Sequence, residues 1–214
     1  MILEHFLLAA VIEPTGAAML EACGADVDAT RVKLAQFLER PTTPLDWKPT
    51  YDAVVNGARV HAVSIGKPIT IGHVLALLMH ATCYARSLLE DQGVTRLGLL
   101  EYISHGTIHV ESAAGLPPVT VVHGVEAAAA SSSLYEIVLH NDDFTTREFV
   151  VDILRSLFDK CEDEANALAR AVHETGLGVI GTAKLRAAIK KITKVTRLAR
   201  KAEFPLRLSL RPAL

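Results

Sequence analysis

The chain has 214 residues, half of them hydrophobic, and a formal net charge of −2 at pH 7. This length suits one large domain or two small ones. The small net charge by itself gives no information about nucleic-acid or membrane partners. Residues 134–214 carry fourteen Lys and Arg against eleven Asp and Glu, whereas the rest of the chain is acidic, as two separate modules would be.

The cysteines and the apolar segments indicate the cellular compartment of the protein. Cys23, Cys83 and Cys161 are far apart in the sequence, and an odd number of cysteines gives no disulfide framework. Residues 1–12 lack the basic leader of a signal peptide, and the apolar run 71–79 is too short to span a bilayer. We therefore expect a cytoplasmic protein without a membrane partner.

The first half contains an internal repeat. Residues 2–9 (ILEHFLLA) resemble residues 70–77 (TIGHVLAL), and each copy continues to a helix that ends at a glycine, Gly24 or Gly93. A second amphipathic helix follows each glycine, and a further helix at about 51–64 precedes the second copy. Because such units bury their apolar faces against one another, the repeat predicts an all-α bundle over residues 1–106.

The segment between the halves is rich in glycine, proline, alanine and serine. No helical or strand period persists there, so residues 107–133 are interpreted as a linker. Short strands are expected at 107–110 and 119–122.

The second module opens with a strand, a turn and a helix. Residues 135–139 are β-branched and apolar, and the turn formers Asn141, Asp142 and Asp143 follow them. Thr145 with Glu148 three residues later matches a capping box, which predicts that a helix begins there and continues to residue 158.

The rest of the second module completes a small α+β domain. Helices are expected at 162–175 and 183–202, and a final strand at 205–210, which gives the order β-α-α-β-α-β over residues 134–214. Residues 176–181 match the pattern GxGxxG but follow a helix and read as a strand, so they predict no nucleotide site.

The turn offers chemistry suited to an ammonium group. The amide oxygen of Asn141 and the carboxylates of Asp142 and Asp143 are acceptors held beside a helix. Taken alone, such a turn is more often only a helix cap, and a single His173 is more often a surface histidine. No residues have paired metal spacing or lie in a nucleophile motif, so we expect no metal, no cofactor and no catalytic residue.

The second module resembles the ClpS adaptor family over residues 134–211. The resemblance is carried by Tyr135 and the run from Leu139 to Thr145, by the alanine-valine-histidine at 171–173, by residues 178–181 and by 204–206. It implies a non-catalytic adaptor that binds substrates beginning with a bulky hydrophobic residue, an N-degron. Such adaptors deliver the substrate to a Clp unfoldase, and through it to the Clp peptidase, by docking on the unfoldase N-domain.

The resemblance also implies a site, which has a polar and an apolar part. The ammonium ligands would be Asn141, Asp142 and His173. The hydrophobic pocket would be formed by Thr145, Val150, Val172 and Leu206.

The chain departs from the family at the pocket mouth. Arg147 and Ala169 occupy positions where the family often has Met or another long apolar residue. A small Ala169 should widen the pocket, and a wider pocket discriminates between side chains less sharply.

The last helix departs from the family as well. It is strongly basic: Arg186 stands where an acidic docking residue is usual, while Lys191 keeps the usual lysine. Three interpretations stay open, namely a solvated face, a contact with the acidic first module, and nucleic-acid binding, for which no recognised motif is present.

The first half resembles the N-terminal domain of Clp-family AAA+ unfoldases over residues 2–106, without the first helix of that domain. No Walker A pattern GxxxxGK[ST] occurs, so no ATPase is expected. The chain is thus expected to be an adaptor or regulator of Clp proteolysis. The alternative is a scaffold or inhibitor, in which the two modules dock on each other or compete with the unfoldase without delivering substrate.

Overall fold

The computed structural model describes residues 2–39, 48–106, 120–121 and 134–213, with only the backbone described at 48–50 and 120–121. Contacts divide the chain into two units, Met1–Ile108 and His109–Leu214. The division falls within the segment expected to be a linker, most of which lies outside the described residues. The strand expected at 107–110 lies outside them too.

The described part of the first unit is helical. Its helices are α1 (Leu3–Ile12), α2 (Pro14–Ala22), α3 (Val27–Leu38), α4 (Lys48–Ser64), α5 (Ile71–Leu78), α6 (Tyr84–Glu90) and α7 (Arg96–His105). The repeat in the sequence corresponds to α1–α3 and α5–α7, and α4 is the helix expected before the second copy. The prediction that this half is helical is therefore confirmed for its described residues.

The two copies use the same turn. Gly24 (φ +93°) and Gly93 (φ +83°) adopt the left-handed conformation that favours glycine, each between the second and third helices of its copy. Two residues later, Asp26 and Thr95 cap α3 and α7 by accepting the amides of Ala29 and Gly98 at 2.8 and 3.0 Å.

Both copies contribute to one core. Its fully buried leucines are Leu7, Leu20 and Leu34 from the first copy and Leu75, Leu78, Leu89 and Leu99 from the second. The buried Glu4 joins the copies, because its Oε1 accepts the backbone amides of Tyr84 and Ala85 at 3.0 and 3.3 Å, at the N-terminus of α6. Among the described helices, none is by itself long and apolar enough to cross a membrane; α1 and α2 reach that length and composition only as a pair bent by 95°.

The second unit is a small sheet with helices. Its elements are β1 (Thr120–Val121), β2 (Leu134–His140), α8 (Arg147–Phe158), α9 (Glu162–Thr175), β3 (Leu177–Lys184), α10 (Leu185–Lys201) and β4 (Arg207–Pro212). The predicted order β-α-α-β-α-β is confirmed over residues 134–212. Strand β2 pairs antiparallel with β3 and β4, and β1, at the strand expected near 119–122, lies parallel to β4.

The helices cover one face of this sheet. Inward-facing side chains of β2, Tyr135, Ile137 and Leu139, pack into a core with residues of all three helices, including Leu154 of α8 and Ile192 of α10. The strand thus positions the turn that follows it, since Leu139 is buried one residue before the chain leaves the sheet.

The glycines of the GxGxxG run have packing roles. Gly176 ends α9 in the left-handed conformation (φ +85°). A Cβ on Gly178 would lie 2.7 Å from Cγ2 of Val172, and one on Gly181 would lie 3.2 Å from Cδ1 of Phe158. The run lies at the start of β3, as predicted, and its glycines allow the helices to approach the strand.

Two helices begin within two residues of their predicted starts, at Arg147 and at Leu185 where about 183 was expected. Helix α8 begins at Arg147 and is capped by Thr146, whose hydroxyl accepts the amide of Phe149 at 3.3 Å, so Thr145 and Glu148 form no capping box. The Thr145 hydroxyl instead donates to the carboxylate of Asp142 in the preceding turn. Helix α10 begins at Leu185 and not at 183, because residues 183 and 184 still pair with β2.

Candidate functional site

The turn after β2 is organised by the Asp142 carboxylate. Its Oδ1 accepts the backbone amides of Phe144 and Thr145 at 2.9 and 2.6 Å, and its Oδ2 accepts the Thr145 hydroxyl at 2.7 Å. The side chain is nearly buried, with the residue 9% exposed. Because a carboxylate offers about four acceptor sites, Oδ2 keeps capacity for one further donor in a fixed direction.

Asn141 links this turn to the end of α9. Its backbone amide donates to the carbonyl of Gly176 at 2.8 Å, and its Oδ1 lies 3.3 Å from Nδ1 of His173. Since a carbonyl oxygen only accepts, Nδ1 of His173 is the donor in this contact when it carries a ring proton. The three predicted ammonium ligands are therefore neighbours.

A cavity of about 30 Å³ lies directly behind these groups. Its lining consists of Leu139, His140, Asn141, Asp142, Thr145, Val150, Ala169, Val172 and Leu206. The four residues predicted to form the hydrophobic pocket all line it, together with Asn141 and Asp142. One small space thus has an apolar wall and acceptor oxygens.

The cavity is small for its predicted occupant. A water molecule needs at least about 10–15 Å³ of such space, so 30 Å³ holds about two waters and not a leucine side chain. Ala169 lines the cavity and is 8% exposed. Entry of a leucine or phenylalanine side chain requires the cavity walls to move. The expectation that Ala169 relaxes the selectivity for the first side chain stays a prediction.

Sequence reasoning missed three residues around the cavity. Leu139 and His140 line it, and His140 Nε2 lies 2.7 Å from the Ser209 hydroxyl on β4. Gly178 lies so close to Val172 that an added Cβ would stand 2.7 Å from its Cγ2. The alternation of β2 would have identified Leu139, whereas nothing local in the sequence reports that Gly178 touches Val172.

Arg147, which was predicted at the pocket mouth, lies at the start of α8. It is exposed and does not line the cavity; its Nη2 donates to Oδ1 of Asn166 on α9 at 2.9 Å. As the first residue of α8, it projects onto the neighbouring surface of α9. Of the two mouth positions, only Ala169 borders the cavity.

The predicted docking residues lie on α10. Arg186 is exposed, while Lys191 approaches Asp159 with its Nζ 3.9 Å from Oδ2 and lies 5.0 Å from the Phe158 ring centroid. Lys191 is thus partly engaged within its own unit. Neither residue lines the cavity, so any docking role is separate from the site described above.

Within the described ranges, no group of three or more His, Cys, Asp or Glu side chains is placed to hold a metal ion.

The family match found by comparison with known proteins lies in this second unit. Residues 130–209 match the family model described as "ATP-dependent Clp protease adaptor protein ClpS". The ClpS adapter of Myxococcus xanthus is 44% identical over 79 residues, which are 37% of this chain and 74% of that protein. That of Shewanella halifaxensis is 36% identical over 93 residues, 44% of this chain and 91% of that protein.

A solved structure is also similar. Agrobacterium tumefaciens ClpS2, solved bound to L-phenylalaninamide, is 33% identical, and the match covers 38% of this chain and 98% of that one with a TM-score of 0.37.

Proposed function

The chain belongs to the ClpS family of non-catalytic adaptors of the ATP-dependent Clp protease, and we propose that its second unit binds substrates through a free, hydrophobic N-terminal residue. One observation carries the proposal. Asn141 and Asp142, whose side chains carry acceptor oxygens, line the same cavity as the apolar residues Val150, Val172 and Leu206. An N-terminal residue is the part of a protein that presents a charged donor and a side chain on adjacent atoms.

The polar half of the site would hold the ammonium. An ammonium has three donors. The turn offers Oδ1 of Asn141 and the remaining acceptor capacity of Asp142 Oδ2, and α9 offers a ring nitrogen of His173. Hydrogen bonds to charged groups contribute about 1.5–3 kcal/mol each. The polar contacts alone therefore discriminate a free N-terminus from an internal peptide segment.

The apolar half would hold the first side chain. Burying a leucine or phenylalanine contributes about 1.5–3 kcal/mol, which is realised only if the cavity opens to admit it. We propose that the loss of bulk at Ala169 lets β-branched side chains compete with leucine and phenylalanine. Calorimetry with peptides that begin with Leu, Phe, Ile or Val tests this; strict preference for Leu and Phe would refute it.

Variants of the polar half test the proposal. We expect Asn141→Ala and His173→Ala to weaken a Leu-starting peptide by tenfold or more each, since each removes one contact to a charge. Asp143→Asn is the matched control, because Asp143 is adjacent but does not line the cavity. Unchanged affinity of both alanine variants would refute the assignment. Asp142→Ala is less informative, since it also removes three hydrogen bonds from the turn.

We further propose that captured substrates pass to a Clp-family AAA+ unfoldase and through it to the Clp peptidase, with Arg186 and Lys191 on the docking surface. Family membership supports a Clp partner. A reconstituted degradation assay with a Leu-starting substrate tests the direction, since an adaptor accelerates degradation. Slowed degradation would instead support the scaffold or inhibitor.

We also propose that the first unit is a Clp N-domain-like repeat, separated from the adaptor module by a linker at 107–133. The matched turns at Gly24 and Gly93, 69 residues apart, support a duplicated unit. A cytoplasmic location is proposed from the three free cysteines. Expression of residues 134–214 alone tests the boundary, because an independent module keeps its peptide affinity.

A further inference from the structure

A second and larger depression lies on the surface of α9. Its volume is about 380 Å³, and its polar lining comprises Arg147 from α8 and Asp163, Asn166, Arg170 and Glu174 from α9. We call it the α9 groove. None of these residues lines the N-terminal-residue cavity, and no role proposed above uses the groove.

The α9 groove borders the cavity. Ala169 lines the cavity and His173 contacts Asn141, whereas Asn166 and Arg170 stand three residues before them on the same helix. Residues three apart on a helix have Cβ atoms about 5–6 Å apart. The groove thus begins within one helical turn of the cavity rim.

A substrate chain that continues along α9 from the cavity crosses this border. An extended chain advances about 3.3–3.6 Å per residue, so the second and third residues of a substrate lie roughly 3–7 Å from a first residue held at the rim. That distance reaches the near side of the groove. Asp163 and Glu174 project further round the helix from the cavity than Asn166 does, given 3.6 residues per turn.

Arg147 lies at the near side of the α9 groove in a geometry that can bind a ligand. Its Nη2 donates to Oδ1 of Asn166 at 2.9 Å, and Nδ2 of Asn166 donates to the carbonyl of Glu162 at 2.9 Å. The second bond fixes the amide so that its oxygen faces the arginine. A guanidinium has five N–H donors, so four remain, and no ion pair of Arg147 is recorded among the described residues.

We propose that Arg147 selects the residue that follows the N-terminal residue of the substrate, favouring Asp or Glu over Lys or Arg. The inference rests on the proposed function of the neighbouring cavity. The guanidinium provides a bidentate site for a carboxylate, and the Asn166 tether lowers the entropy lost when it binds. Arg147 is thereby a specificity-determining residue for the second position and not a wall of the cavity.

Three peptides and two variants test this inference. The peptides begin Leu-Asp, Leu-Lys, or Leu-Ala with the aspartate moved to position six, so that the first and third have the same charge. Wild type should bind Leu-Asp about two- to five-fold tighter than the other two, the range of an exposed ion pair, and the preference should fade in 1 M salt. Arg147→Glu should reverse the preference in favour of Leu-Lys.

Arg197→Glu is the matched control, because it makes the same charge change on the exposed face of α10 and does not line the groove. It should keep the wild-type order. Equal affinities for the three peptides on wild type, or an order that Arg147→Glu leaves unchanged, would overturn the inference. If, in addition, the N-acetylated Leu-Ala peptide binds as well as the free one, the proposed function of the cavity has failed too. If acetylation abolishes binding, the proposed function stands and only the role of Arg147 is wrong.

Discussion

Substitution of Gly178 by alanine should weaken peptide binding, because it displaces Val172, which lines the cavity. Gly178 lies in β3 and does not line the cavity, but its added Cβ would stand 2.7 Å from Cγ2 of Val172. Ordinary contacts of this kind are 3.4–4 Å, so the valine must move by at least 0.7 Å. Val172 lines the cavity, and a β-branched side chain has little freedom to rotate away. We therefore expect its displacement to change the shape of a space that is only about 30 Å³.

The magnitudes separate binding from folding. Overpacking costs about 1–3 kcal/mol of stability, offset by roughly 0.5–1 kcal/mol when alanine replaces a strand glycine. The variant should consequently fold. Loss of the side-chain burial worth about 1.5–3 kcal/mol should weaken a Leu-starting peptide by roughly 10- to 150-fold.

Calorimetric titration of Gly178→Ala, with thermal unfolding alongside, measures both quantities. Gly181→Ala is the control, since its Cβ would meet Phe158 at 3.2 Å and Phe158 does not line the cavity. That variant should lose similar stability but keep its affinity. A folded Gly178→Ala protein with wild-type affinity would refute the reasoning that Val172 forms the wall of the binding site.

Three further outcomes follow from the structure. Gly16→Ala should destabilise the first unit, because the new Cβ would collide with the backbone carbonyl of Ala10, yet leave peptide affinity unchanged; a parallel loss of affinity would contradict independent units. In the native protein Cys161 should react first with a thiol reagent at pH 8, since it is exposed, whereas burial raises the pKa of the Cys23 thiol to about 11 and also raises the pKa of Cys83. Cys23 is then about one part in a thousand thiolate, and equal reaction of all three cysteines would contradict the packing. Affinity for a Leu-starting peptide should fall as pH rises through the α-amino pKa of the peptide, about 7.7–8.0, because the neutral amine loses its charge-assisted bonds; a flat titration to pH 9 would contradict ammonium recognition.

Local patterns predicted the elements well where one face of each element is buried. The alternation of β2 and the helical period of α9 place apolar residues on the core side, so the order β-α-α-β-α-β could be predicted without knowledge of contacts. The capping box at Thr145 failed for a specific reason. Its hydroxyl has a stronger local partner in the Asp142 carboxylate, at 2.7 Å, and the helix starts two residues later.

The site was predicted in part, and the missing part depends on contacts distant in sequence. The family resemblance supplied Asn141, Asp142 and His173, although only the fold shows that Asn141 also binds the end of α9. The position of Arg147 could not be predicted, since it depends on Asn166, nineteen residues away. The close approach of Gly178 to Val172 is likewise a tertiary contact, with no trace in the local pattern.

Recognition of a free N-terminus is tested most directly by a double-mutant cycle between Asn141 and the ammonium of the peptide. The four affinities are those of wild type and Asn141→Ala for one Leu-starting peptide in its free and N-acetylated forms. We predict that acetylation weakens binding to wild type by a hundredfold or more, since it removes several bonds to a charge. Acetylation should reduce the affinity of Asn141→Ala by a factor that is at least about tenfold smaller than the factor for wild type. The reason is that one of those bonds is already absent in the variant. Equal affinity of wild type for the free and acetylated peptides would contradict the account.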